Sequence, residues 1–114
     1  ISTVVAEVAS HTNPVDLIKS TFPMGSMTGA PKVSAMQIIE DLEAFKRGLY
    51  SGAVGYFTPE NDFDFNVVIR SILYNSSKPY ISFAVGSAIT AKATPEHEYQ
   101  ECLLKAKAMR TVLE

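Results

Sequence analysis

Two short clusters of turn-forming residues constrain the second half of this chain more than anything else in it. Pro59-Glu60-Asn61-Asp62 and Asn75-Ser76-Ser77-Lys78-Pro79 separate three apolar, β-branched runs at 49–58, 65–74 and 80–90. Such runs read as strands, and connectors this short are hairpin connections. The expectation is therefore a three-stranded antiparallel meander. Residues 2–8, Ser-Thr-Val-Val-Ala-Glu-Val, alternate in the same way and read as a further strand.

Helices account for the rest. Asn13-Pro14 opens a short helix over 15–21, with Pro14 in the first turn, where its missing N–H costs nothing. Residues 23–31 form a loop of glycine, serine, threonine and proline, and a helix over 32–45 follows, broken by Gly48. The last helix runs from 95 to about 113, with Thr94 as N-cap, Pro95 at its first position, and Glu96 and Glu98 where the helix dipole favours acids. With no repeat, low-complexity tract or linker, the order predicts one α/β unit of the α+β type: antiparallel strands with packed helices.

At 114 residues there is room for one core. A net charge of −2 argues against a nucleic-acid or acidic-membrane partner, either of which favours a basic face. No apolar run approaches the roughly eighteen residues of a membrane span. The single cysteine, Cys102, permits neither an internal disulfide nor a cysteine zinc cluster, and fits a reducing, cytoplasmic setting. The opening Ile-Ser-Thr-Val-Val resembles the middle of an element and not a leader peptide, so a portion of a larger protein is expected.

Three places could carry chemistry. Gly25-Ser26-Met27-Thr28-Gly29-Ala30-Pro31-Lys32 sets two hydroxyls between glycines ahead of a helix start. It is suited either to an anion or to a plain helix-capping turn, and it lacks the spacing of a Walker A loop. Arg70 stands within the most apolar strand, between Val68 and Ile72. A guanidinium there either finds an anion or snorkels to solvent. Glu98, Glu101 and Lys105 fall within about 60° of one another on the last helix. They lie beside the apolar stripe of Tyr99, Cys102, Leu103, Ala106, Met109 and Leu113. Two such carboxylates suit a hard cation such as Mg²⁺, while the competing reading is an ordinary Glu101–Lys105 surface pair. Gly86-Ser87-Ala88 ends the third strand, where glycine lets another group approach the backbone. His11 and His97 have no recognisable partner, and Cys102 reads as a core residue.

Five blocks in collinear order resemble the C-terminal region of the chorismate-binding enzymes, which include the aminodeoxychorismate, anthranilate, isochorismate and salicylate synthases. They are Phe22 to Met36, Tyr50 to Phe57, Phe65 to Ser71, Val85 to Thr90 and Pro95 to Ala106. The resemblance implies residues 1–114 to be the C-terminal portion of a chorismate-binding catalytic domain acting on chorismate with Mg²⁺. It makes Glu101 a metal ligand and Glu98 its water-mediated neighbour. Lys105 becomes a contact to a substrate carboxylate, and Tyr50 with Arg70 the clamp on the enolpyruvyl carboxylate. Amides of Gly86, Ser87 and Ala88, with the hydroxyls of Ser26 and Thr28, would hold the ring carboxylate.

Within the family, Gly-Ser-x-Thr-Gly-Ala-Pro-Lys is similar to the aminodeoxychorismate (para-aminobenzoate) synthase component I type, a folate-pathway transferase that aminates chorismate at C4 with ammonia from a glutamine amidotransferase. The alternatives are an anthranilate synthase component I of the tryptophan pathway and a non-catalytic carboxylate-binding module. Tyr50 stands where some aminodeoxychorismate synthases have tryptophan. Ala88 and Lys92-Ala93 replace a glycine and an Asp-Ser pair common in the family. The family's second metal glutamate, its general acid and base and its nucleophilic lysine have no counterpart in these residues, and Lys32 belongs to the Gly-Ala-Pro-Lys loop. No catalytic group is located here, and these 114 residues alone are expected to be inactive.

Overall fold

A computed structural model describes residues 3–114. The chain divides into two compact units, one formed by Ile1–Phe45 and Gly55–Phe65, the other by Lys46–Val54 and Asn66–Glu114. Helices and hairpin-linked strand pairs make up both, so the α+β class expected from the sequence is the one observed.

In the first unit, helix α1 (Pro14–Thr21) begins where Asn13 Oδ1 accepts a hydrogen bond from the Val15 N–H at 2.8 Å, with Pro14 in its first turn. Helix α2 (Lys32–Leu42) stops three residues short of the expected end, because Glu43 turns into extended backbone. Between them a single 3₁₀ turn, Gly25–Met27, occupies the glycine-rich loop. Gly29 within it has φ of 145°, outside the range a side chain tolerates, and a Cβ there would sit 2.9 Å from the Ala35 methyl. Residues 3–8 are in no strand; positions 1 and 2 lie outside the described residues. Alternation gives a segment the capacity to be a strand, but only a ladder partner makes it one, and Val4 and Val5 stand 93% and 84% exposed.

Strands β1 (Ala53–Phe57) and β2 (Phe63–Val67) pair through a turn too short for a parallel crossover. The Thr58 N–H donates to the Asp62 carbonyl at 2.8 Å, and Asn61 supplies the positive φ that the reversal requires. Phe57, Phe63 and Phe65 cluster with ring centroids 5.5–6.1 Å apart. The Phe65 ring lies over Gly55, and a Cβ at that position would collide with both the ring and the Asp64 carbonyl.

In the second unit, the Ser51 N–H donates to the Val68 carbonyl and the Val68 N–H to the Gly52 carbonyl, at 3.0 and 2.9 Å. These bonds make Val68, 9% exposed, the buried apolar residue of the described chain. The expected strand over 65–74 does not continue past it. The Ile69 N–H turns back to the Val67 carbonyl at 2.9 Å, and Arg70 takes a left-handed φ of 50°, so the ladder breaks. Pairing resumes at β3 (Leu73–Asn75) with β4 (Tyr80–Ser82), antiparallel with Tyr74 opposite Ile81. The single meander expected from the sequence is thus two separate two-stranded sheets, and the strand expected over 80–90 ends at Ser82. Helix α3 (Pro95–Leu113) has the expected bounds, but the Thr94 side chain does not cap it; the Thr94 carbonyl simply accepts from the Glu98 N–H.

Gly55→Ala in the full-length protein is expected to destabilise the hairpin by about 1–3 kcal/mol, because the clash includes backbone that cannot swing aside. Thermal unfolding measures this, and an unchanged transition would mean the Phe65 ring does not lie on Gly55.

Candidate functional site

The side chains that converge lie in the second unit, where the segment after β4 meets α3. Residues 83–87, past the sheet, are half-buried, as is the helical face carrying Glu98, Cys102, Lys105, Ala106 and Met109, and hydrogen bonds at Gly86 and Ser87 join the two. The spacing of these residues is that of one helical face. The buried stripe is therefore rotated from the one read in the sequence. Tyr99, Leu103 and Leu113 are exposed, while Glu98 and Lys105, taken as rim positions, lie on the covered face. Cys102 is a free, partly buried thiol among them, in keeping with a packing role.

Two links join helix to segment. The Lys105 ammonium contacts Glu101 Oε1 at 2.5 Å and donates to the Gly86 carbonyl at 2.9 Å. Two turns before Lys105 on α3, the Ser87 hydroxyl donates to Glu98 Oε2. The pair is partly solvated, with Lys105 37% and Glu101 50% exposed. The Lys105 hydrogen bond, then its charge, hold the Glu101 carboxyl below the ordinary glutamate range. A serine has one proton to give, and here Glu98 receives it.

Tyr50 completes the cluster from the opposite side. It lies in the turn before β1 and not within a strand as expected, and its N–H donates to the Arg47 carbonyl at 3.1 Å. Its hydroxyl comes so close to Gly86 that a Cβ built there would lie 2.7 Å from it. Gly86 is thus the point where two groups reach the backbone: the tyrosine hydroxyl through the space of the missing side chain, and the lysine through the carbonyl. Among the described residues the N–H groups of Gly86, Ser87 and Ala88 make no hydrogen bond. An N–H group without a protein partner is a donor that water or a ligand can take up. Ala88 is exposed, so its methyl fills no internal space.

Six of the residues singled out in the sequence, Tyr50, Gly86, Ser87, Glu98, Glu101 and Lys105, therefore form one connected set. Arg70 belongs to the same unit but is not among their contacts. It sits in the break between β2 and β3, exposed, with no hydrogen bond or ion pair to the described residues. Its strand assignment is corrected, and of the two readings given to its guanidinium the one seen is access to solvent. The Ser26–Thr28 loop lies in the other unit. There the Thr28 hydroxyl donates to the Met24 carbonyl at 3.1 Å and the Lys32 ammonium to the Thr21 carbonyl at 3.3 Å, so both serve the loop itself. Ser26 is exposed and makes no side-chain hydrogen bond among the described residues.

The donors of the cluster are hard oxygens: two carboxylates, a hydroxyl and a carbonyl. Such a set fits Mg²⁺, which binds through one or two carboxylates and draws its other oxygens from water and substrate. No group of three acidic, histidine or cysteine side chains occurs among the described residues. A cation here would depend on Glu101 and Glu98 with oxygens from elsewhere. Sequence reasoning missed the contact of Gly86 with both Tyr50 and Lys105. Only the glycine at a strand end hinted at it.

A family model described as chorismate binding enzyme matches residues 1–111. The chain is 47% identical over all 114 residues to a probable chloroplastic aminodeoxychorismate synthase of Oryza sativa subsp. japonica, covering 12% of that protein. It is 41% identical over its full length to aminodeoxychorismate synthase component 1 of Bacillus subtilis, covering 24%. To anthranilate synthase component 1 of Aquifex aeolicus it is 40% identical, again over its full length and covering 23%. The chain thus spans less than a quarter of the length of these curated relatives. Among the described residues no helix is long and apolar enough to cross a membrane.

The Glu101 pKa carries a sign that can be checked. A depressed carboxyl pKa stabilises the fold above its unfolded value, and that contribution is lost as pH falls through the lower folded value. The carboxyl-carbon shift of Glu101 should titrate below the ordinary glutamate range, and Lys105→Met should move the midpoint back up. An unmoved midpoint would show that the two groups are not paired in solution.

Proposed function

This chain belongs to the family of chorismate binding enzymes, and from that premise we propose that it supplies the metal-side and carboxylate-binding part of an aminodeoxychorismate synthase. The whole protein would replace the C4 hydroxyl of chorismate by an amino group, releasing water. A glutamine amidotransferase partner would supply the ammonia, in a cytoplasmic, reducing setting and on the way to folate. The observation that carries this reading is the cluster in which Lys105 bridges Glu101 and the Gly86 carbonyl beside three free amides. A substrate with two carboxylates calls for this combination of a fixed cationic group, unspent N–H donors and acidic oxygens.

In this reading Glu101 is the metal ligand and Glu98, fixed by Ser87, its water-mediated neighbour. Mg²⁺, when bound, supplies positive charge against a substrate carboxylate. The chain's own residues do the orienting. Amides of Gly86 to Ala88 receive one carboxylate, Tyr50 presents its hydroxyl beside Gly86, and Lys105 provides a charge-assisted donor. Arg70, open to solvent, is available to clamp the enolpyruvyl carboxylate. The Ser26 and Thr28 pattern of the glycine-rich loop supports the aminodeoxychorismate type. The general acid, base and nucleophile would come from outside these residues, so the 114-residue chain alone is expected to consume no chorismate.

A second reading is favoured by the Aquifex aeolicus relative, whose 40% identity is nearly that of the Bacillus subtilis one. An anthranilate synthase would aminate C2 and release pyruvate. Product analysis of the full-length protein supplied with chorismate, ammonia and Mg²⁺ separates the two. An amino product that retains the enolpyruvyl group supports the first reading, and pyruvate formed in step with an aromatic amine supports the second.

Glu101→Gln in the full-length protein should lower kcat/KM at fixed Mg²⁺ by at least about tenfold. Part of that loss should return as Mg²⁺ is raised. If Glu101 were only half of a surface pair, the change would stay below about threefold, whatever the Mg²⁺ concentration.

A further inference from the structure

The Lys105 ammonium occupies a position whose chemistry is that of a cation site. It has an anionic oxygen at 2.5 Å and a carbonyl oxygen at 2.9 Å, and Glu98 lies two turns back along the same helix. Lys105 is partly buried, as are Cys102 and Met109 on the same helical face, so its head group reaches these oxygens from a partly covered position. The site therefore already holds one positive charge of its own, and that charge sits on the carboxylate a metal would need.

We propose that Lys105 is a built-in stand-in for the divalent cation, which neutralises Glu101 until a metal arrives and has to leave it when the metal binds. The inference rests on the reading of Glu101 as a metal ligand given above. Two cations then compete for one carboxylate. An ammonium within hydrogen-bond distance of Glu101 Oε1 and a divalent ion coordinated by the same carboxylate repel each other at a separation where solvent screening is weak. The exchange is inexpensive because the pair is half-exposed, and exposed ion pairs are individually weak. Lys105 carries two tethers, and losing Glu101 leaves the Gly86 carbonyl as the second. The displaced ammonium stays beside the free amides of Gly86, Ser87 and Ala88, where a carboxylate would dock. Metal binding thereby changes Lys105 from the partner of a protein carboxylate into a donor available to a substrate carboxylate. The cation and the anionic substrate would assist one another through a single side chain, a reciprocal coupling by thermodynamic necessity.

Mg²⁺ binding to the full-length protein without substrate, measured by titration calorimetry, tests this. Lys105→Met should tighten Mg²⁺ binding by about three- to fivefold, the equilibrium equivalent of a part-exposed ion pair. Lys107→Met, which removes the same charge from an exposed position on the same helix, should change it by less than about twofold, as expected of a screened charge. Equal effects of the two variants would reduce the stand-in to general electrostatics and overturn it. A second measurement needs no variant: acetylation of Lys105 in wild-type protein, followed by mass spectrometry, should rise when Mg²⁺ is added while that of Lys107 stays constant. Unchanged acetylation at saturating Mg²⁺ would mean that Lys105 does not leave Glu101. Glu101→Gln separates the two levels of the argument. If it leaves Mg²⁺ affinity intact, the metal reading itself falls and the stand-in with it. If it weakens Mg²⁺ but Lys105→Met behaves as Lys107→Met does, only the stand-in falls.

Discussion

The link from Lys105 to the Gly86 carbonyl is the contact on which the second unit's geometry depends. It ties helix α3 to a stretch of chain that has left its sheet and has no ladder of its own. A segment without backbone pairing is held by side chains or not at all. Here the side chains are Lys105 on the carbonyl of Gly86 and Glu98 on the hydroxyl of Ser87. Because these bonds engage the carbonyl and the side chain, they fix the segment while leaving its amides unspent. The interaction that organises the segment also leaves the N–H groups of Gly86 to Ala88 without a partner among the described residues.

Gly86 shows how one residue can satisfy several demands. Its missing side chain makes room for the Tyr50 hydroxyl, and its carbonyl anchors the ammonium that neutralises Glu101. A larger residue would displace the tyrosine hydroxyl. Arg70 is the opposite case. It is unanchored, exposed and left-handed, where non-glycine backbone is uncommon. A charged group in that state is positioned by its backbone alone.

Much of the architecture was legible from local rules. The helix opened by Asn13-Pro14, the span of α3 and the two hairpin turns all follow from interactions within a few residues. The conflicts arose where pattern gives only capacity. Residues 3–8 alternate like a strand yet have no ladder partner among the described residues, and the apolar run around Val68 is interrupted because the chain turns back at Val67–Ile69. The inward stripe of α3 was misjudged by about a turn's fraction, since the hydropathy of Tyr99 and Leu103 pulled the reading away from the face where Glu98 and Lys105 are covered.

By itself the sequence determined the residue types of the site, the helical spacing that aligns Glu98, Glu101 and Lys105, and the collinear blocks that mark the family. Those are local or one-dimensional properties, fixed by 3.6 residues per turn and by chain order. Only the tertiary structure decided which carbonyl Lys105 would reach, nineteen residues away, and that Tyr50 would fill the space left open at Gly86. It also decided that Thr28 would spend its hydroxyl within its own loop while Ser26 would not. Periodicity says which side chains share a face. It says nothing of what that face meets, because a distant contact depends on where the intervening chain turns, and here those turns include a break at Arg70 that hydropathy does not encode.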